Sequence, residues 1–71
     1  MTTVRDFYLE AQSMKDKNVD PRKIHDHLLD RGRQEGHVIE ETGQGETYVL
    51  LFKSTGEKIG FDGVEYHFAW S

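Results

Sequence analysis

The chain has 71 residues, 35% of them hydrophobic and 31% charged, with a formal net charge of −4 and no cysteine. This length suits one domain with a small core, and the lack of cysteine excludes disulfides and thiolate metal ligands. The negative charge disfavours a broad phosphate-binding surface, which needs clustered Lys and Arg. No stretch approaches ~20 apolar residues and no apolar leader follows Met1, so we expect a cytoplasmic protein without a membrane span.

The first predicted element is a helix over residues 3–17. Thr3 is placed to cap its start with Asp6 as the partner acid, and Asn18, which tolerates a left-handed backbone, is placed to end it. Its apolar residues recur at three- and four-residue intervals: Val4, Phe7, Tyr8, Ala11 and Met14.

A second helix is predicted over 21–32, after a tight corner. Asp20 supplies a capping carboxylate, Pro21 suits the first helical position, and Gly32 is taken as the end. One side of this helix is apolar and the opposite side is charged. The apolar side carries Ile24, His25, Leu28 and Leu29.

From His37 onward the apolar period changes to two, which is typical of strands. We predict four strands, at about 37–41, 47–53, 57–61 and 64–70, separated by glycine-containing turns. The predicted fold class is therefore α+β, with two N-terminal helices followed by a four-stranded antiparallel β-meander in a single small domain.

The last hairpin has the strongest turn signal, Asp62-Gly63. A two-residue turn there makes Phe61 face Val64, and the alternation then gives one strand face a run of apolar side chains. The residues predicted to share that face are Ile59, Phe61, Val64, Tyr66, Phe68 and Trp70.

The strand TYVLLFK is apolar on both faces, and its register depends on the turn that follows. A two-residue turn at Thr55-Gly56 sends Val49 and Leu51 to the back of the sheet. A three-residue loop over 54–56, with Gly56 left-handed, reverses the two faces.

Two helices cover only one face of such a sheet, so some large apolar side chains stay exposed unless the helices pack on opposite faces or the sheet curls strongly. A contiguous exposed apolar patch favours a contact surface. The candidate partner-binding residues, with both registers kept open, are Tyr48, Val49, Leu50, Leu51, Phe52, His67 and Trp70.

The sequence contains no pattern that indicates catalysis, a cofactor or a metal site. His25 and His27 lie about 200° apart on a helix and cannot share an ion, so His25 is expected to be a hydrogen-bonded core or boundary residue. The glycines of ETGQGET join two strands and lack the phosphate-binding context. We therefore expect no enzyme, no cofactor and no metal.

Two function classes remain. The favoured one is a small regulator, inhibitor or adaptor that binds another protein or a second copy of itself through an apolar sheet face and an acidic surface. The alternative is a winged-helix-like nucleic-acid-binding protein that uses the second helix and a glycine-tipped hairpin. The candidate phosphate contacts of that alternative are Arg22, Lys23, Arg31 and Arg33.

Overall fold

The computed structural model describes residues 2–45 and 47–70, without the side chains of Gln44 and Trp70. Two helices are followed by one antiparallel sheet whose strands lie in chain order. The predicted α+β fold with a four-stranded meander is confirmed. The described residues contain no helix that is both long and apolar enough to cross a membrane.

Helix α1 spans Val4–Asp16. At its start the Thr3 hydroxyl accepts a hydrogen bond from the backbone N of Asp6, and the Asp6 carboxylate accepts one from the backbone N of Thr3. This reciprocal pair satisfies two N–H groups that the first turn leaves unpaired. Asn18 follows the last turn with φ 62°, so both predicted helix boundaries are confirmed to within one residue.

Helix α2 spans Pro21–Gln34, and Asp20 caps it by accepting a hydrogen bond from the backbone N of Arg22 at 3.0 Å. The prediction that this helix ends near Gly32 is wrong. The left-handed residue is Gly36, with φ 89°, and the backbone N of His37 donates to the carbonyl of Gly32 at 3.0 Å. Gly36 therefore closes the helix in a Schellman-type arrangement.

The four strands are β1 (Ile39–Gln44), β2 (Thr47–Phe52), β3 (Glu57–Phe61) and β4 (Tyr66–Trp70). Strand β1 begins and ends later than the predicted 37–41, because Thr42 and Gly43, expected in a loop, pair with β2. The predicted limits 47–53 and 57–61 agree with β2 and β3 to within one residue.

The turn between β2 and β3 matches neither of the two registers considered. Phe52 pairs with Glu57, so the connection has four residues, 53–56, and Gly56 adopts φ 78°. Its backbone N donates to the carbonyl of Phe52 at 2.8 Å. Because side chains alternate between the two faces, a four-residue loop gives the same faces as a two-residue loop. Val49 and Leu51 therefore lie on the back of the sheet, as in the two-residue alternative.

The predicted two-residue turn between β3 and β4 is also wrong. Phe61 pairs with Tyr66 instead of Val64, and 62–65 form a four-residue loop. The Asp62 carboxylate closes this loop by accepting hydrogen bonds from the backbone N of Val64 and of Glu65. Val64, expected on the apolar strand face, is consequently 73% exposed.

Both helices pack on the same face of the sheet, so the alternative with helices on opposite faces is excluded. The Phe7 ring of α1 stacks on Phe52 at 5.7 Å between centroids, and the His25 ring of α2 lies 4.9 Å from the ring of Tyr48, which is on the same strand face as Phe52. The buried core combines this strand face with the apolar sides of the two helices. Its members are Val4, Phe7, Ala11, Ile24, Leu28, Leu29, Ile39, Leu50, Phe52, Ile59, Phe61 and Tyr66.

Candidate interaction surface

The sheet presents its second face away from both helices, and we call this surface the open face. Side chains alternate between the two faces of a strand, so the residues next to each core residue belong to it. Its apolar members are Val38, Val49, Leu51 and Ala69, and its ionisable members are Glu40, Lys53, Lys58 and His67.

The apolar residues on the open face differ in exposure. Val38 is 62% exposed and Val49 is 37% exposed. Leu51 is half-buried between its neighbours on β1 and β3, and Ala69 on the edge strand is exposed. Strand residues that face water are usually polar, so Val49 and Leu51 at the middle of the sheet depart from the usual alternation.

The strand register arranges the open face in rows. One row runs from Glu40 through Leu51 and Lys58 to Ala69 across the four strands. The Nζ atom of Lys53 lies 3.1 Å from Oε2 of Glu40. Within the described part of the chain, no carboxylate forms an ion pair with Lys58.

The next row runs from Thr42 through Val49 and Gly60 to His67. His67 Nε2 lies 2.7 Å from Oδ2 of Asp62, so this end of the row joins the loop between β3 and β4. The open face therefore has an apolar centre on β2 with ionisable groups on both sides.

The structure divides the predicted partner-binding residues between the two faces. Leu50 and Phe52 are 2% and 0% exposed and belong to the core, which removes them from any contact surface. Val49, Leu51 and His67 lie on the open face. The side chain of Trp70 lies outside the described residues, although its backbone pairs with Glu57.

Tyr48 lies on the helix side of the sheet and is half-buried. Its ring is 4.9 Å from the ring of His25, which is 8% exposed and has Nε2 3.1 Å from Oε2 of Glu41. The expectation of a hydrogen-bonded His25 at the core boundary is confirmed. Tyr48 and Phe61 also line a solvent-open groove of about 280 Å³ at the start of α2.

The four basic residues considered for phosphate binding are not equivalent. Arg31 binds Glu10, with Nη1 2.6 Å from Oε2, and its Nε lies 3.8 Å from Oε2 of Glu35. Its charge is therefore compensated by α1 and by the end of its own helix. The other three are exposed on α2: Arg22, Lys23 and Arg33.

Glu35 links the helix layer to the N-terminal segment. Its Oε1 accepts a hydrogen bond from the backbone N of Thr2 at 2.8 Å, and this bond, together with the charge of Arg31, holds the pKa of Glu35 below its usual value. Glu10 also accepts from His27 Nε2 at 2.8 Å if that nitrogen is protonated. These contacts tie α1 to α2.

The loop between β3 and β4 gathers ionisable groups that sequence reasoning did not bring together. Asp62, Glu65 and His67 are exposed, and one ligand atom from each lies within 4.8 Å of the other two. Hydrogen bonds from the backbone N of Glu65, from His67 and from the backbone N of Val64 lower the pKa of Asp62 to about 2. Hydrogen bonds to Asp62 hold these three residues together. The two-residue turn predicted from the sequence did not place them near one another.

Comparison of the chain with protein-family models, with curated proteins and with solved structures gives no match.

Proposed function

We propose that the protein acts in the cytoplasm as a small non-enzymatic protein-binding module, a regulator, inhibitor or adaptor, whose open face contacts its partner. One observation carries the proposal: Val49 and Leu51 lie at the centre of a sheet face that neither helix covers. Apolar side chains in that position favour association, because burying them against a partner removes apolar surface from water.

The distribution of charge supports a protein partner over a nucleic acid. Residues 37–71 contain six acidic and two basic residues, so the half of the chain that builds the sheet carries the whole net charge of −4. An acidic field repels phosphates and attracts basic surfaces on approach. The partner is therefore expected to be a protein with an apolar centre flanked by charges of both signs, because the open face itself carries Glu40, Lys53 and Lys58 around Val49 and Leu51.

The proposal is tested by placing one charge on each face of β2. Leu51→Glu should leave the fold intact, since this side chain lies on the open face, and should abolish the capture of the partner by the tagged protein. Leu50→Glu should unfold the domain, because it buries an unpaired carboxylate in the core. Circular dichroism reports folding, and affinity capture after nuclease treatment reports the partner.

A matched control is Leu9→Glu, which adds the same charge at a half-exposed leucine on the outer side of α1. This variant should fold and should capture the same proteins as the unmodified chain. Capture that is equal for Leu51→Glu and Leu9→Glu would reject the open face as the contact surface.

A further inference from the structure

The row that contains Leu51 has opposite charges on its two sides. Leu51 pairs with Glu40 of β1 on one side and with Lys58 of β3 on the other. Neighbouring strands are about 4.8 Å apart, so the acid and the base are equally distant from β2. When a second copy of this surface is rotated by 180° about an axis along β2, its acid lies opposite the base of the first copy and its base opposite the acid.

From this symmetry we infer that a second copy of the chain binds the open face, sheet against sheet, about a twofold axis parallel to β2. Rotation by 180° about that axis places Glu40 over Lys58 of the second copy, and Lys58 over its Glu40. Leu51 then faces Leu51, and Val49 faces Val49. The inference rests on the proposed function, because it names the partner of the same face.

Three further residues on the open face, Thr42, Gly60 and Lys53, are compatible with this packing. Rotation places Thr42 over Gly60, which has no side chain to obstruct it. Lys53 lies on β2 near the axis, but its ammonium group is drawn towards Glu40 of β1 at 3.1 Å. The two copies of Lys53 therefore point away from each other, and the like charges do not meet.

Other face-to-face arrangements lack this complementarity. A twofold axis that runs across the strands, between the two rows, would place Leu51 over Val49, Glu40 over Thr42 and Lys58 over Gly60. That packing gives neither Glu40 nor Lys58 a partner of opposite sign on the second copy. The ionic contacts therefore select the axis along β2, as charged groups commonly select register in symmetric interfaces.

The area that the two copies bury against each other limits the affinity of the dimer. Rotation about β2 brings only β1, β2 and β3 of the two copies opposite one another, and three strands about 4.8 Å apart, with about five residues each at about 3.4 Å, give a contact of roughly 250 Å². Stable complexes bury about 800 Å² per partner, so the dimer belongs to the weak class. It should form at high micromolar concentration, and ~0.15 M salt should screen the repulsion between two chains of net charge −4.

The first test uses two opposite charge reversals, Glu40→Lys and Lys58→Glu. Each variant alone puts like charges together at both ionic contacts, and its dimer dissociation constant should rise about tenfold. An equimolar mixture of the two should associate again, because each altered residue then faces an opposite charge. Sedimentation velocity on the two variants and their mixture measures this directly.

Matched controls alter the same charges away from the open face. Asp26→Lys and Lys23→Glu, both on the exposed side of α2, should leave the dissociation constant within about twofold. Circular dichroism on all four variants establishes that each is folded. If mixing the two open-face variants restores nothing, the assigned axis is wrong.

A second test exploits the absence of cysteine in the chain. Val49→Cys lies on the proposed axis, whereas Ala69→Cys lies on the edge strand of the same face. A short bismaleimide should cross-link two copies of Val49→Cys at least tenfold faster than two copies of Ala69→Cys. Equal rates, or a faster reaction at Ala69→Cys, would overturn the axis.

The dimer and the proposed function can fail separately. A chain that remains monomeric up to ~1 mM, where a standard free energy of about −4 kcal/mol would suffice for association, overturns the second copy as partner. Capture of a different protein that is lost in Leu51→Glu would then preserve the proposed function. If Leu51→Glu changes neither self-association nor capture, both proposals are rejected.

Discussion

Gly32 of α2 and Ile39 of β1 are packed so closely that a Cβ atom on Gly32 would collide with Cδ1 of Ile39. Ile39 is 7% exposed, and its terminal methyl group would have to shift to admit that atom. Glycine therefore permits the close approach of helix and sheet, within a helix where alanine would otherwise be favoured by about 1 kcal/mol. Gly32 is therefore present for this close contact and does not mark the end of α2, which continues to Gln34.

The contact predicts the effect of Gly32→Ala. Overpacking of this kind costs about 1–3 kcal/mol, which exceeds the helix-propensity gain, so the variant should be destabilised by about 1 kcal/mol. Urea denaturation followed by circular dichroism measures the difference.

The same contact supplies the control for that prediction. Ile39→Val removes the Cδ1 methyl group, so Gly32→Ala introduced into Ile39→Val should be neutral or stabilising. A cost for Gly32→Ala that is unchanged in this background would contradict the assignment of the clash to Ile39.

The cap of α2 predicts the effect of Asp20→Ala. Loss of the hydrogen bond to the backbone N of Arg22 should cost about 0.5–2 kcal/mol, because the first turn then has one more unpaired N–H group. Asp20→Asn keeps an acceptor and should lose less. A thermal midpoint that is the same for Asp20→Ala and the unmodified protein would place the start of the helix elsewhere.

Tyr66 predicts a loss of stability at alkaline pH. Burial, with a smaller contribution from the charges of Tyr48 and Asp20, raises the pKa of Tyr66 from its ordinary value of 10.0 to about 12. A raised pKa in the folded state means that the contribution of Tyr66 is fully present below pH 10 and is lost as the pH rises through 12. The free energy of unfolding, measured from pH 8 to 12, should therefore fall in this window.

Tyr66→Phe tests the cause of that alkaline loss. It should flatten the alkaline part of the curve, at a cost at neutral pH of about 0.5–1.5 kcal/mol for the hydrogen bond to the carbonyl of Pro21. An alkaline loss that persists unchanged in Tyr66→Phe would assign it to other groups.

The net charge of −4, together with the ion pairs that compensate Arg31, predicts weak interaction with nucleic acids. Fluorescence anisotropy with labelled duplex DNA and single-stranded RNA at ~0.15 M salt should show no binding tighter than micromolar. Arg31→Ala should lower thermal stability, because it leaves Glu10 without its closest cation, and should leave any residual nucleic-acid affinity unchanged. Tight binding that falls steeply with added salt would instead favour the winged-helix-like alternative.

Local sequence signals determined where the helices begin. Thr3 with Asp6, and Asp20 with Pro21, satisfy backbone groups within their own turn, so no distant contact is needed to place them. Apolar periodicity likewise predicted the order of the elements and the shared face of Ile59, Phe61, Tyr66 and Phe68.

Only the tertiary structure decided the hairpin loops and the end of α2. Asp62-Gly63 suits a tight turn, but the Asp62 carboxylate closes a four-residue loop that lets Tyr66, rather than Val64, pair with Phe61 and enter the core. Gly32 is equally suited to ending a helix and to a close approach, and its contact with Ile39 selected the second role. The same local sequence is compatible with more than one turn length and with more than one role for a glycine. Packing between side chains that are distant in the chain selects one of these alternatives.

The open face shows the same division. The sequence indicated that TYVLLFK has more apolar residues than one face can hold, because the excess is visible as a run. Whether the odd- or even-numbered residues of this strand face away from the helices depends on whether the following loop has an odd or an even number of residues. The loop has an even number, and Leu50 and Phe52 are buried in the core. The rows across four strands, with Glu40 and Lys58 on either side of Leu51, exist only once every register is known, because residues distant in the chain become neighbours through pairing.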